Sequence, residues 1–140
     1  MDIPSDFSPH FRKSPVTDPW EPLYSRRRPD GVDLFVEVRS ALCNARGFLH
    51  GGVLASFCDN FMGLSLGIVI NDARANIVTV NLAVDYLGSA GIGDALRVEP
   101  RVIRAGSRLG FCDAMVTSGD KLIARANATF SIRLANKQSA

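Results

Sequence analysis

Residues 44–60 read NARGFLHGGVLASFCDN and lead into the most apolar run of the chain. From Gly51 this run continues to Ile70, and Asp59 is its single charged residue. Its length and the polar pair Asn71-Asp72 after it predict one long helix. A helix that is apolar on nearly every side is typical of the centre of a globular fold. We therefore expect Asp59 to be a carboxylate held inside the core of its own chain.

The same run is long enough to raise the alternative of a membrane span. Asp59, Asn60, serines and glycines interrupt it, and the Arg or Lys residues that anchor spans are missing at its end. The N-terminal sequence MDIPSDFSPH has neither the basic flank nor the apolar centre of a signal peptide. We expect a protein that does not associate with a membrane.

Length and composition limit which other classes of protein this chain can belong to. A chain of 140 residues is the size of one domain, and a net charge of +2 is too small to predict a nucleic-acid partner. Three cysteines without a C-x-x-C motif, and only His10 and His50, argue against a disulfide framework or a metal site. A reducing cytoplasm is the expected location. Arginine outnumbers lysine, which fits either a phosphate-bearing ligand or a compositional bias.

The chain divides into three parts. Residues 1–22 are rich in proline and read as an extended arm, docked by Phe7, Phe11 and Trp20. Residues 23–136 form the predicted domain, and residues 137–140 are a short C-terminal tail. Alternating apolar and polar residues predict two strands before the helix, over 23–28 and 33–40, and four after it, over 76–86, 94–104, 108–117 and 121–134.

This order predicts an α+β fold in which an antiparallel sheet of five to six strands wraps around one long central helix. Ala124, Ala126 and Ala128 form a row of small side chains that lets the helix lie close to the sheet. Since one sheet cannot cover every side of the helix, we expect a second copy of the chain to complete the burial. Within residues 76–86 the alternation places one set of side chains on one face, namely Val78, Val80, Leu82, Val84 and Tyr86, and Thr79, Asn81 and Asp85 on the other.

The helix start carries the motif N-x-x-G-x-x-H-G-G followed by six residues and an aspartate, at Asn44, Gly47, His50-Gly51-Gly52 and Asp59. With the long helix and the strands after it, the motif resembles that of the hotdog-fold thioesterases, in particular the PaaI-like branch that includes thioesterase superfamily member 2. The resemblance covers roughly residues 23–135. It implies hydrolysis of an acyl- or aryl-coenzyme A thioester without a metal, and no cofactor other than the coenzyme A of the substrate. It also implies dimers, usually paired into tetramers, with active sites at the dimer interface.

The residue types fit those roles. Unpaired N–H groups at a helix start stabilise an oxyanion. We therefore expect the Gly51 N–H to bind the oxygen of the thioester carbonyl, and Gly52 to let a ligand approach the backbone closely. Asp59 is then the base that activates water, or the nucleophile itself. His50 is expected to orient the loop or the ligand, and Asn44 to hold the carbonyl or a water molecule.

Helix geometry adds a constraint. Gly51 and Asp59 lie eight residues apart, which is about 12 Å along the axis at 1.5 Å per residue. A base and an oxyanion donor must both lie within a few ångströms of one carbonyl. Two antiparallel copies of the helix would bring Gly51 of one copy beside Asp59 of the other.

Further site residues follow from the resemblance. Thr79 is expected to help place the water, and Asn81 is a neighbouring candidate. Phe61 and Met62 are expected to line the acyl pocket. Arg104 and Arg108 flank a turn that in the family lies near the phosphates of the coenzyme. Leu87-Gly88-Ser89-Ala90 departs from the family pattern, which leaves the acyl and pantetheine contacts there open.

Two other functions remain as alternatives. A hotdog enoyl-CoA hydratase or dehydratase would pair an acid with a histidine in a different motif, and this chain has no second histidine near its predicted core. A non-catalytic acyl-CoA-binding protein of the same fold would not need Asp59 or Asn44. Cys58 is a second candidate for a nucleophilic side chain, but it has no base at helical spacing and is expected to pack in the core.

Overall fold

The computed structural model describes residues 1–135, so the predicted tail over 137–140 lies outside the described residues. Within them the chain forms one α-helix, α1 (Gly51–Ile70), and two short 3-10 turns at Asp18–Trp20 and Ser40–Leu42. The strands are β1 (Ser8–Pro9), β2 (Tyr24–Arg28), β3 (Gly31–Glu37), β4 (Ala75–Tyr86), β5 (Ala95–Ala105), β6 (Leu109–Ser118) and β7 (Lys121–Leu134).

The strands form one antiparallel sheet in the order β1-β2-β3-β5-β6-β7-β4. This arrangement confirms the predicted fold of a sheet around one long helix. The sheet has seven strands rather than five or six, because the arm contributes β1. Two residues, one of them proline, are too few to show an alternating pattern. The strand that follows the helix, β4, pairs only with the last strand β7 and therefore lies at the edge.

The ends of α1 are set by local chemistry. His50 caps the start, because its Nδ1 accepts a hydrogen bond from the Gly52 N–H at 2.9 Å. At the other end, Asn71 adopts the left-handed conformation with φ of 50°, and its N–H bonds to the Gly67 carbonyl. The predicted bounds at Gly51 and Ile70 are confirmed.

The core lies between one face of α1 and the concave face of the sheet. The helix buries Leu54, Phe57, Cys58, Phe61, Met62, Ser65 and Leu66. Each large apolar side chain that is removed from water contributes about 1.5–3 kcal/mol. The predicted alanine row of β7 is buried against this helix face. By length and composition α1 could also cross a membrane, but here it packs along the sheet and leaves its opposite face partly exposed.

A β-bulge in β4 changes the predicted faces of that strand. Thr79 pairs with Phe130 and Asn81 pairs with Thr129, so Val80 is an extra residue without a partner in the register. Side chains that face the helix are odd-numbered before the bulge and even-numbered after it. The prediction that Val78 and Val80 share a face with Leu82 is therefore wrong, and both valines are about 60% exposed.

Candidate functional site

The central feature of the site is a hydrogen bond between α1 and β4. Thr79 lies on the helix-facing side of β4 because of the bulge, and its Oγ1 donates to Asp59 Oδ1 at 2.6 Å. Within residues 1–135 no arginine, lysine or histidine forms an ion pair with Asp59. The carboxylate is thus oriented by one neutral donor and keeps lone pairs that can accept a proton.

The environment of Asp59 differs from the expectation of a carboxylate inside the chain's own core. Its side chain is half-buried, on the border between the buried helix face and the exposed one. It lines a cleft of about 610 Å³ between α1, the start of β4 and the N-terminal arm. The acid is therefore accessible to a ligand from the cleft, while the preceding residues Phe57 and Cys58 pack into the core.

The start of α1 forms a second group of site residues. Gly51 is the first residue of the helix, and within the described residues its N–H has no hydrogen-bond partner. Because His50 Nδ1 accepts from Gly52, a neutral His50 carries its proton on Nε2, where it can donate to a ligand. An unpaired N–H at the positive end of a 20-residue helix suits a developing oxyanion.

Tyr86 supports this helix start from the far end of β4. Its hydroxyl donates to the Gly51 carbonyl at 2.6 Å, and its ring would lie 3.4 Å from a Cβ placed on Gly51. Partial burial, and secondarily the neighbouring Cys58, raise the pKa of Tyr86, so its hydroxyl keeps the donated proton at neutral pH. The sequence placed Tyr86 on the apolar face of its strand but did not identify this contact.

Asn44 organises the loop before the helix. Its side-chain oxygen accepts from the N–H groups of Arg46 at 2.9 Å and Phe48 at 3.2 Å, and its own N–H bonds to the Phe48 carbonyl. Gly47 adopts a φ of 83°, which favours glycine at this position of the motif. The amide oxygen of Asn44 is thus occupied within the loop, and its Nδ2 remains the group that can donate to a ligand.

The structure keeps these two groups apart. Asp59 and Thr79 lie in the cleft, whereas His50, Gly51 and Gly52 lie two helical turns away along α1. Within one chain the Asp59 carboxylate therefore lies away from the helix start, and the Gly51 N–H has no carboxylate beside it.

The other predicted ligand contacts lie elsewhere. Phe61 and Met62 are fully buried in the core and do not line the cleft. Asn81 is the register partner of Thr129, and its side chain lies on the sheet face that points away from the helix. Arg104 and Arg108 are exposed at either side of the β5–β6 turn. The structure does not bring these five residues to Asp59 within a single chain.

Cys58 has the environment of a core residue. Burial, with a smaller contribution from the charge of Asp59, raises the pKa of its thiol to about 12. At neutral pH it is the thiol and not the nucleophilic thiolate. Within residues 1–135 no three His, Cys, Asp or Glu side chains are grouped as metal ligands.

The arm is the part of the site that the sequence missed. Phe11, Arg12, Ser14 and Val16 form one wall of the cleft that holds Asp59. The sequence indicated only that Phe11 docks the arm, because nothing in a proline-rich segment shows which surface it will cover.

Comparison with known proteins places these features in context. The sequence profile of the thioesterase superfamily matches residues 46–125. A Pseudomonas aeruginosa protein named "Putative esterase PA0474" is 34% identical over 133 residues, which are 94% of this chain and 98% of that protein. Human acyl-coenzyme A thioesterase 13 is 29% identical over 103 residues, which are 72% of each chain.

A solved structure supports the same fold. Streptococcus mutans smu.793, crystallised with acetyl CoA bound, superposes with a TM-score of 0.72 at 27% sequence identity. The superposition covers 84% of this chain and 94% of smu.793.

Proposed function

Because the chain belongs to the thioesterase superfamily and has its hotdog fold, we propose that it hydrolyses the thioester of an aryl- or medium-chain acyl-coenzyme A. The observation that carries this proposal is the Asp59 carboxylate, oriented by Thr79 at 2.6 Å, without a cationic partner in the described chain, and open to a cleft. Acetyl CoA bound to smu.793 and the name of human acyl-coenzyme A thioesterase 13 support the substrate class.

In the proposed reaction Asp59 removes a proton from water, and the water oxygen attacks the thioester carbonyl carbon. The Gly51 N–H donates to the carbonyl oxygen as it becomes negative. The C–S bond then breaks, and the coenzyme A thiolate leaves and takes up the proton held by Asp59, which regenerates the carboxylate; the free carboxylic acid is the second product. The alternative in which Asp59 itself attacks the carbonyl would form an anhydride that water hydrolyses.

The proposed site needs two chains, because Gly51 and Asp59 of one helix are about 12 Å apart. Antiparallel association of two copies would place Gly51 of one beside Asp59 of the other. The free edge of β4 and its exposed Val78 and Val80 support a dimer, since an unpaired apolar edge is rarely left open to solvent. We extend the proposal to a dimer or tetramer in the cytoplasm, where the three free cysteines would stay reduced.

The test is thiol release from a panel of acyl- and aryl-coenzyme A thioesters. The wild-type protein should release thiol, and Asp59→Ala should lower kcat by about 10²–10⁴-fold, the usual contribution of a general base. Asp113→Asn, which changes an acid on β6 paired with Arg101, is the matched control and should retain activity. Hydration of an enoyl-CoA without thiol release, or binding without turnover, would replace this proposal with one of the two alternatives.

A further inference from the structure

The N-terminal arm carries an inference that rests on the proposed thioesterase function and extends it to substrate selection. We infer that residues 11–16, called the arm wall below, form the part of the site that contacts the far end of the acyl group. The chemical class they select is an apolar acyl group long or broad enough to reach them, such as a medium-chain or aromatic acyl.

The arm wall is held at both ends. On one side, the N–H of His10 bonds to the Leu23 carbonyl at 2.9 Å, and its Nδ1 lies 2.9 Å from Ser25 Oγ. On the other side, the Ser14 carbonyl accepts from the Asp18 N–H at 3.0 Å, next to the buried Thr17. The segment between these anchors is thus positioned before a ligand arrives, which lowers the entropic cost of binding.

Phe11 is the side chain that this arrangement presents to the cleft. The Arg27 guanidinium carbon lies 4.6 Å from the centre of its ring, and the His10 ring lies 4.8 Å away. His10 in turn packs at 5.0 Å on Phe61, two residues after Asp59 on α1. Despite these contacts Phe11 is 46% exposed and lines the cleft. An aromatic ring that packs against neighbouring side chains and is still partly exposed in the cleft is a preformed surface for an apolar group.

Part of the opposite wall of the cleft is also apolar, beside the polar Asn60, Asp72 and Asn76. Leu64 and Ile68 of α1 and Ile77 of β4 face the same space as Phe11 and Val16. Gly63 and Gly67 of α1 also line it and leave room for a ligand beside the helix. An acyl group whose carbonyl lies at Asp59 would therefore extend between apolar side chains of the helix and of the arm. An acetyl group has a single carbon beyond its carbonyl, so we expect it to make the smallest contact with Phe11.

The experiment compares kcat/KM for acetyl-, octanoyl- and phenylacetyl-coenzyme A in the wild type and three variants. Phe11→Ala should lower the values for octanoyl and phenylacetyl substrates about tenfold, the size expected for losing an apolar contact, and leave acetyl within about twofold. Phe11→Leu should retain octanoyl hydrolysis and lower phenylacetyl hydrolysis. The matched control is Phe111→Ala on the outer sheet face, where 39% of a phenylalanine is exposed away from the cleft.

A uniform loss on all three substrates, or no change on any, would overturn the inference. So would dissociation of the assembly by Phe11→Ala in light scattering, because the arm would then be an interface element. If the wild-type protein releases no thiol from any substrate, the proposed function fails first. The affinity for the inert thioether octyl-coenzyme A, measured by calorimetry, then decides the inference alone, since only a substrate-contacting Phe11 makes Phe11→Ala bind it more weakly.

Discussion

Two aspartates of this chain, Asp33 on β3 and Asp59 on α1, have opposite surroundings. Asp33 is 1% exposed, and its Oδ2 accepts from Arg26 Nη2 at 2.7 Å while its Oδ1 accepts from Arg28 Nη2 at 2.9 Å. Asp59 is half-buried and accepts one hydrogen bond, from Thr79. The first acid has its charge matched by two guanidinium groups, and the second keeps its acceptor capacity for a ligand.

The difference separates an acid held in structural ion pairs from an acid that can accept a hydrogen bond from a ligand. An acid whose oxygens are engaged by two guanidinium groups and that is 1% exposed has no acceptor left for a substrate or a water molecule. An acid that is oriented by one neutral hydroxyl at the side of a cleft can bind water and take its proton. If acids were ranked as candidate bases by burial alone, Asp33 would come before Asp59. The hydrogen-bond and ion-pair partners of an acid, and not its burial, therefore identify the candidate base.

The largest expected effect tests the stability side of this comparison. Asp33→Asn should lower the free energy of unfolding by about 3 kcal/mol, because it leaves the partly buried Arg26 and Arg28 without their shared carboxylate. Asp59→Asn should change it by less than about 1 kcal/mol. Urea denaturation at neutral pH measures both, and the comparison fails if Asp59→Asn is the more destabilising of the two.

The next effect concerns the orientation of the acid. Thr79→Val keeps the shape of the side chain but removes the donor to Asp59, and a hydrogen bond to a charged group contributes about 1.5–3 kcal/mol. We expect kcat to fall roughly tenfold or more, while the affinity for an inert acyl-coenzyme A analogue stays unchanged. Thr129→Val, on the outer face of β7, is the control. Equal losses in both variants would remove the special role of Thr79.

A smaller effect is expected at the helix start. Tyr86→Phe removes the hydroxyl that donates to the Gly51 carbonyl and should lower the free energy of unfolding by about 1 kcal/mol. Since the Gly51 N–H is unchanged, kcat should fall less than in Thr79→Val. Thermal unfolding and thiol release measure the two effects, and a larger loss of activity than in Thr79→Val would mean that Tyr86 contacts the substrate.

The smallest effect concerns His10, which is buried like Asp33 but has no charged partner. Within the described residues its Nε2 has no hydrogen-bond partner, and burial lowers its pKa below the ordinary 6.5, with Glu21 opposing and Lys13 and Arg12 adding to the shift. The unfolded chain then binds a proton that the folded chain resists, so stability falls as pH drops below about 6.5.

The measurement is urea denaturation of wild type and His10→Phe across this range of pH. The variant should lose the part of the pH dependence that His10 contributes. Identical slopes in the two proteins would show that His10 does not titrate differently on folding.

The sequence predicted the parts of the molecule that follow from periodic patterns and a spaced motif. The long apolar run from Gly51 to Ile70 formed the central helix, and the alternation in residues 121–134 formed β7 with its buried alanines. The motif identified Asp59 as the singular acid of the helix, because a charge in an apolar run stands out without any knowledge of tertiary contacts.

Features that arise from tertiary packing could not be predicted in this way. The alternation of residues 76–86 looks regular through Val80, and only the pairing with β7 shows that this residue is extra. In the sequence Asp33 is an ordinary strand residue, and only the pairing of β2 with β3 shows that Arg26 and Arg28 lie beside it. The arm has no period at all, so its position over the cleft depends on anchors such as His10 that cannot be recognised along the chain.

The extra residue in β4 has a consequence for how this site tolerates change. Thr79 before Val80 and Tyr86 after it both reach α1, one at its middle and one at its first turn. A regular strand that kept Val80 but had no bulge would turn one of them to the outer surface, since seven positions separate them and side chains alternate. Deleting Val80 would leave six positions between them in a regular register, so both Thr79 and Tyr86 should keep their contacts with α1.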